Sequence, residues 1–118
     1  MTASNNQGQS PAQQEFLNDV VNASTDLVVL RLLAIEPGMY GVKIREELMD
    51  LFEIRWGIAT PYRVLGRLES EGLVVSETHP TEGPKKLYWN TQRGEQRLAE
   101  LQEAYGPFSK AMTDLLID

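Results

Sequence analysis

Apolar residues recur at helical spacing through most of the chain and switch to strict alternation only after about residue 72. Phe16, Leu17, Val20 and Val21 give one apolar face to a short helix from Pro11 to about Ala23. Ser24 or Thr25 then suits the cap of a second helix, with Asp26 near its positive end. Its body, LVVLRLLAIE, is apolar nearly all round and so belongs at the centre of a core, and Pro37 and Gly38 stop it. The next helix, from about Tyr40 to Phe52, buries Val42, Ile44, Leu48, Leu51 and Phe52 and leaves Lys43, Arg45, Glu46, Glu47 and Asp50 to solvent. Arg55, Trp56 and Gly57 form a turn or a very short strand. In TPYRVLGRLESEG, Thr60 is of N-cap type, Pro61 falls at the first helical position, and Gly72 ends the helix. Val64, Leu65 and Leu68 form the buried stripe of this helix, so Tyr62, Arg63, Gly66 and Arg67 fall largely on its outer side.

Past Gly72 the period becomes two. LVVSE and KLYWN read as strands, and the HPTEGPK between them is turn chemistry, so the pair makes a hairpin with a long tip. Thr91 caps a last helix running to Asp118, in which Leu98, Leu101, Tyr105, Phe108, Met112 and Leu115 repeat in alternating steps of three and four, a heptad seam. Gly106-Pro107 interrupts it. A proline removes one helical hydrogen bond, but the seam keeps its phase across the interruption, which favours a kink over a break. Such a seam on the terminal helix of so small a domain predicts a dimerisation element. The fold class is therefore mainly α with a small β-hairpin (α+β). Three helices followed by a hairpin is the winged helix-turn-helix arrangement. The expected organisation is a polar, disordered tail over residues 1–12, a winged domain over 13–92 and a dimerisation helix over 93–118.

Composition narrows the chemistry. The 118 residues, 42% of them hydrophobic, fit one modest globular domain. No apolar run approaches the roughly 20 residues of a membrane span, and the N-terminus lacks the basic start and apolar centre of a signal peptide. The absence of cysteine removes thiol nucleophiles and thiolate metal sites and agrees with a cytoplasmic protein. With a single histidine, His79, and no glycine-rich phosphate loop, no catalytic constellation or metal cluster is assembled, and the chain does not read as an enzyme. His79 itself reads as a solvated loop residue. The net charge of −6 argues against indiscriminate nucleic-acid binding. Its distribution matters more: Arg55, Arg63 and Arg67 lie between Glu53 and Glu69 with no acid among them, and Lys85, Lys86 and Arg93 lie likewise between Glu82 and Glu95. A locally basic face on an acidic body suits selective, salt-sensitive DNA binding.

The chain resembles the PadR family of winged-helix transcriptional regulators from about Leu27 to Leu101. The likeness begins at LVVLRLLAIEPGMYGVKIREEL, continues through TPYRVLGRLESEGLV, and is most specific in EGPKKLYWNTQRGEQRL, similar to the family's wing, aromatic strand and Thr-x-x-Gly entry to the terminal helix. The sequence departs from the family where Tyr40 stands for its usual histidine, Ala59 for a glycine, and Trp89 and Asn90 for a tyrosine and an arginine. The length suggests the small subtype with one C-terminal helix.

Together these readings predict a homodimeric regulator, most simply a repressor, of double-stranded DNA with a pseudo-palindromic operator and no cofactor. The expected DNA contacts are Thr60 with the first-turn N–H groups on phosphate, Tyr62 on phosphate or a base edge, Arg63 and Arg67 in the major groove, Gly66 where a groove wall comes close, and Lys85 and Lys86 at the wing. Lys43 and Arg45 are secondary phosphate candidates. Leu98, Leu101, Tyr105, Phe108, Met112 and Leu115 form the dimer seam. A small aromatic effector, as family resemblance implies, would lie among Trp56, Trp89, Tyr105 and Phe108, although core and dimer packing accounts for those rings more simply. The alternatives are a winged-helix protein-interaction module and a small-molecule sensor without direct DNA binding.

Overall fold

The computed structural model describes residues 8–54, 57, 59–81 and 85–117. Residues 1–7 of the expected tail, Arg55 and Trp56 of the expected turn, and the tip of the hairpin at 82–84 lie outside the described residues.

The first departure from the periodicity reading is at the N-terminus. Helix α1 runs unbroken over Pro11–Ile35, so the two expected helices are one. Ser10 caps it: its hydroxyl accepts from the Gln13 N–H at 3.1 Å while the Gln13 side chain accepts from the Ser10 N–H at 2.8 Å, a reciprocal capping box that begins inside the expected tail. Neither Ser24 nor Thr25 caps anything. The Thr25 hydroxyl donates back to the Val21 carbonyl at 2.7 Å, and Thr25 is buried in phase with Val21 and Val29, so a hydroxyl residue continues the helix where it could have started one.

Strand β1 (Met39–Tyr40) and helix α2 (Gly41–Phe52) follow, with Tyr40 at the N-cap of α2. Ile44 and Leu48 are buried, as the spacing requires, but Val42 and Leu51 are exposed, and buried Gly41 takes the place expected of Val42. Helix α3 spans Ala59–Ser70, starting two residues earlier than expected, so Thr60 lies within its first turn and does not cap it. Pro61 is buried in that same turn, where a missing N–H is tolerated. The helix ends as a Schellman motif: Gly72 adopts φ +78° and donates to the Glu69 carbonyl, and Leu73 donates to the Leu68 carbonyl.

Strands β2 (Val74–Thr78) and β3 (Lys86–Asn90) form the expected antiparallel hairpin, pairing Val74 with Asn90 and Thr78 with Lys86. β1 adds a third strand on the other edge of β3, pairing Met39 with Tyr88. Helix α4 (Gln92–Leu116) continues through Pro107 without a break. Thr91 caps α4, accepting from the Gly94 N–H at 3.0 Å and donating to the Gly72 carbonyl at 2.6 Å, which ties the start of α4 to the end of α3. Leu30, Leu33, Ile44, Leu48, Leu65, Leu68 and Leu73 are fully buried where the elements meet. Each contributes roughly 1.5–3 kcal/mol. No described helix is long and apolar enough to cross a membrane.

Candidate nucleic-acid interface

Burial of Pro61, Leu65 and Leu68 fixes the roll of α3 and turns Tyr62, Arg63 and Gly66 outward. Tyr62 is 44% exposed, and nothing stands within 4 Å of where a Gly66 Cβ would be. The Tyr62 ring lies across the N-terminus of α2, where a Cβ on Gly41 would meet it at 2.5 Å. Tyr62 and Gly66 share an open groove of about 410 Å³ with Lys85 and Lys86 at the base of the wing. Lys85 stands 5.4 Å from the centre of the Tyr40 ring, a cation–π distance, and its carbonyl accepts from the His79 N–H at 2.7 Å. His79 is half-buried, its Nδ1 accepting from the Thr81 N–H at 3.1 Å, so it helps shape the base of the wing. Glu69 also lines this groove and accepts from the Ser76 hydroxyl at 2.9 Å. Burial, followed by the nearby charge of Glu69, pushes the Tyr88 phenol above its usual range.

The other flank of α3 faces α1. There the Thr60 hydroxyl accepts from Arg63 Nη2 at 3.3 Å, and the Thr60 N–H donates to the Gly57 carbonyl at 3.2 Å. Arg67 makes a bidentate pair with Asp26 of α1, one arm at 3.2 Å, and reaches Glu71 at 3.3 Å. The hydrogen bond to Asp26 raises its already high pKa further. On α2, Lys43 donates to both oxygens of Glu36 at 2.8 and 2.9 Å, which raises the lysine pKa, and Arg45 is half-buried. Of the expected contacts, then, the structure gathers Tyr62, Gly66, Lys85 and Lys86 round one groove, sets Thr60 and Arg63 in a separate hollow on the α1 flank of α3, and ties Arg67 and Lys43 to carboxylates.

Asn90, which stands where the family has an arginine, faces inward and donates to the Leu30 carbonyl of α1 at 2.8 Å. It fastens the sheet to α1 and takes no basic side chain away from the outer surface of the wing. The aromatic residues weighed as an effector pocket are spread out. Trp89 lies against Gly38, Tyr105 and Phe108 are 52% and 60% exposed along α4, and Trp56 is outside the described residues. Sequence reasoning missed an apolar groove of about 600 Å³ between α1, α2 and α4, lined among others by Leu17, Val20, Ile35, Leu51 and Tyr105. Its signal was present in the excess of apolar residues on α1, which exceeds what one face can bury.

The family model of the transcriptional regulator PadR-like family matches residues 29–100. Among solved structures, a PadR family regulator from Eggerthella lenta is 26% identical, with a TM-score of 0.73 over 87% of this chain and 90% of its own. A PadR-like regulator from Bacillus cereus superposes with a TM-score of 0.75 at 20% identity, covering 85% of this chain and 98% of its own. The PcaV regulator of Streptomyces coelicolor, solved in complex with its natural ligand, shares the fold at a TM-score of 0.69 and 22% identity. The match takes in 79% of this chain but only 62% of PcaV. No curated protein matches the chain. A family match over most of the chain, on a winged fold with an exposed third helix, makes this protein a member of the PadR-like family of non-enzymatic transcriptional regulators.

Proposed function

We propose that the protein is a sequence-specific repressor that binds a pseudo-palindromic operator in double-stranded DNA as a homodimer, in the cytoplasm. The observation that carries this reading is the groove in which exposed Tyr62 and Gly66 of α3 lie beside Lys85 and Lys86 of the wing. A bare glycine on an exposed helix face costs roughly 1 kcal/mol against alanine, a cost that makes sense where a groove wall must come close. Arg63 enters the major groove and pairs with guanine, steadied by Thr60, while the wing lysines neutralise phosphate. The exposed Tyr105, Phe108 and Leu115 of α4, continuous with half-buried Leu101 and Met112 and buried Leu98, supply the dimer seam. A small aromatic effector is a second ligand this reading accommodates: the apolar groove between α1, α2 and α4 has the volume and lining for one, and PcaV holds its own ligand.

Binding of the purified protein to the DNA upstream of its own gene, across a salt series, tests the reading. Tight sequence-dependent binding with a steep negative salt slope is expected. Binding no tighter than to random duplex there, and no enriched fragment in a genome-wide selection, would sink it in favour of a protein-interaction module.

A further inference from the structure

Arg67 projects from the helix proposed to read DNA, yet its guanidinium is already occupied. Asp26 takes it in a bidentate pair across the α1–α3 junction, and Glu71 adds a single contact from just past the end of α3. The two partners are unequal. The Glu71 contact is an i, i+4 pair of the kind worth a few tenths of a kcal/mol on an open helix. Asp26 matches the planar fork of the arginine with both oxygens, from a separate element, and its side chain is only 28% exposed. The continuity of α1 puts it there. In the broken helix that the sequence suggested, Asp26 would serve a helix N-terminus; in the unbroken one it sits mid-helix and takes up Arg67, which lines a shallow hollow with Thr60 and Arg63.

A carboxylate pair of this kind imitates what a phosphate would offer. We infer that Asp26 acts as an internal counter-ion that withholds Arg67 from DNA phosphate, and so sets how far the protein favours its operator over random duplex. The inference rests on the DNA-binding reading proposed above. Backbone contacts carry no sequence information, so each cation added to the phosphate count strengthens binding to all DNA alike. Holding one arginine per protomer out of that count keeps indiscriminate binding weak and leaves base recognition to the rest of the interface. Glu71 alone, a single contact at the end of α3, does not prevent the freed side chain from turning to a phosphate.

The test is the salt dependence of binding to random duplex, beside operator binding, for the full chain carrying Asp26→Asn. The expected result is a salt slope steeper by about 0.9 per protomer, hence an added loss of roughly threefold per protomer between 50 and 200 mM salt, and a lower operator-to-random ratio at low salt. Asp19→Asn, the same charge change at an exposed position on α1, controls for net charge and should leave the slope in place. Adding Arg67→Ala to Asp26→Asn should remove the increment, whereas Lys110→Ala, the same charge change far along α4, should not. A thermal melt confirms that each variant is folded. An unchanged slope in folded Asp26→Asn, or a steep slope that persists once Arg67 is gone, overturns the inference. A wild-type protein that binds no DNA removes the DNA-binding reading itself.

Discussion

Single residues at this interface divide into those that touch DNA in the proposed reading and those that place them. Gly41 belongs to the second kind. Its backbone is not left-handed, so alanine is allowed there and favoured by roughly 0.5–1 kcal/mol, but the new Cβ would displace the Tyr62 ring. Gly41→Ala should therefore hold or raise the melting temperature while weakening operator binding, and in a Tyr62→Ala background it should weaken binding no further. Equal operator affinity for Gly41→Ala and wild type would show that the seating of the ring does not matter. Arg63 and Lys86 should differ in kind. Arg63→Ala is expected to cost on the order of 1–3 kcal/mol and relax base preference, while Lys86→Ala should weaken binding evenly across sequences and flatten the salt slope by about one unit per protomer. Competition assays against single-base operator variants separate the two. The residue types at this scale were legible in the sequence, but their pairings were not. Arg67 and Asp26 are far apart in the chain, and nothing in either stretch reveals the other. Asn90 read as a lost cation because the inward face of β3 cannot be told from its outward face until the strand is paired.

Elements were legible where periodicity was long and illegible where a short contact decided. α3, β3 and α4 lie within two residues of where the spacing puts them, because buried leucines and the Gly72 and Thr91 caps agree with one another. α1 misled because Ser24 and Thr25 suit a cap, yet a threonine hydroxyl can equally return to the carbonyl four residues back; with no glycine or proline between them, the helix continues. β1 is only two residues long and owes its existence to β3, so no local pattern announces it. The junction of α3 with α4 makes a sharper prediction. Thr91 both caps α4 and donates to the Gly72 carbonyl, and a Cβ on Gly94 would collide with the Leu73 carbonyl oxygen. Thr91→Ala should lower stability by about 1–2 kcal/mol in denaturant unfolding. Gly94→Ala should lower it by about 1–3 kcal/mol, because backbone, not a flexible side chain, must give way. A Gly94→Ala protein as stable as wild type would mean that α4 does not pack this closely on the end of α3.

At the scale of the whole molecule the protomer is more extended than a self-sufficient domain. Its radius of gyration is 15.9 Å, against roughly 13.5 Å for a compact chain of this length. The surplus goes with α4, which leaves the core after Leu101 and carries Tyr105, Phe108, Leu115 and Leu116 largely exposed. Exposed apolar surface in one continuous stripe is uncommon on a monomer and ordinary on half of an interface. A two-fold axis along this seam would make the interface self-complementary and set two α3 helices to read half-sites about one helical turn of DNA apart. Phe108→Glu tests the assembly without touching the proposed DNA contacts. Since Phe108 is 60% exposed in the protomer, the variant should remain folded; a buried glutamate in the dimer seam should hold it monomeric by sedimentation at micromolar concentration. Affinity for a full operator should then drop by roughly a hundredfold or more, because the second half-site is no longer held at high effective concentration, while affinity for an isolated half-site stays near that of wild type. If Phe108→Glu sediments as a dimer and binds the operator normally, the stripe on α4 faces something other than a second copy of the chain. The apolar groove beside it, between α1 and α2, would then be the place to look for the contact that brings two reading helices together.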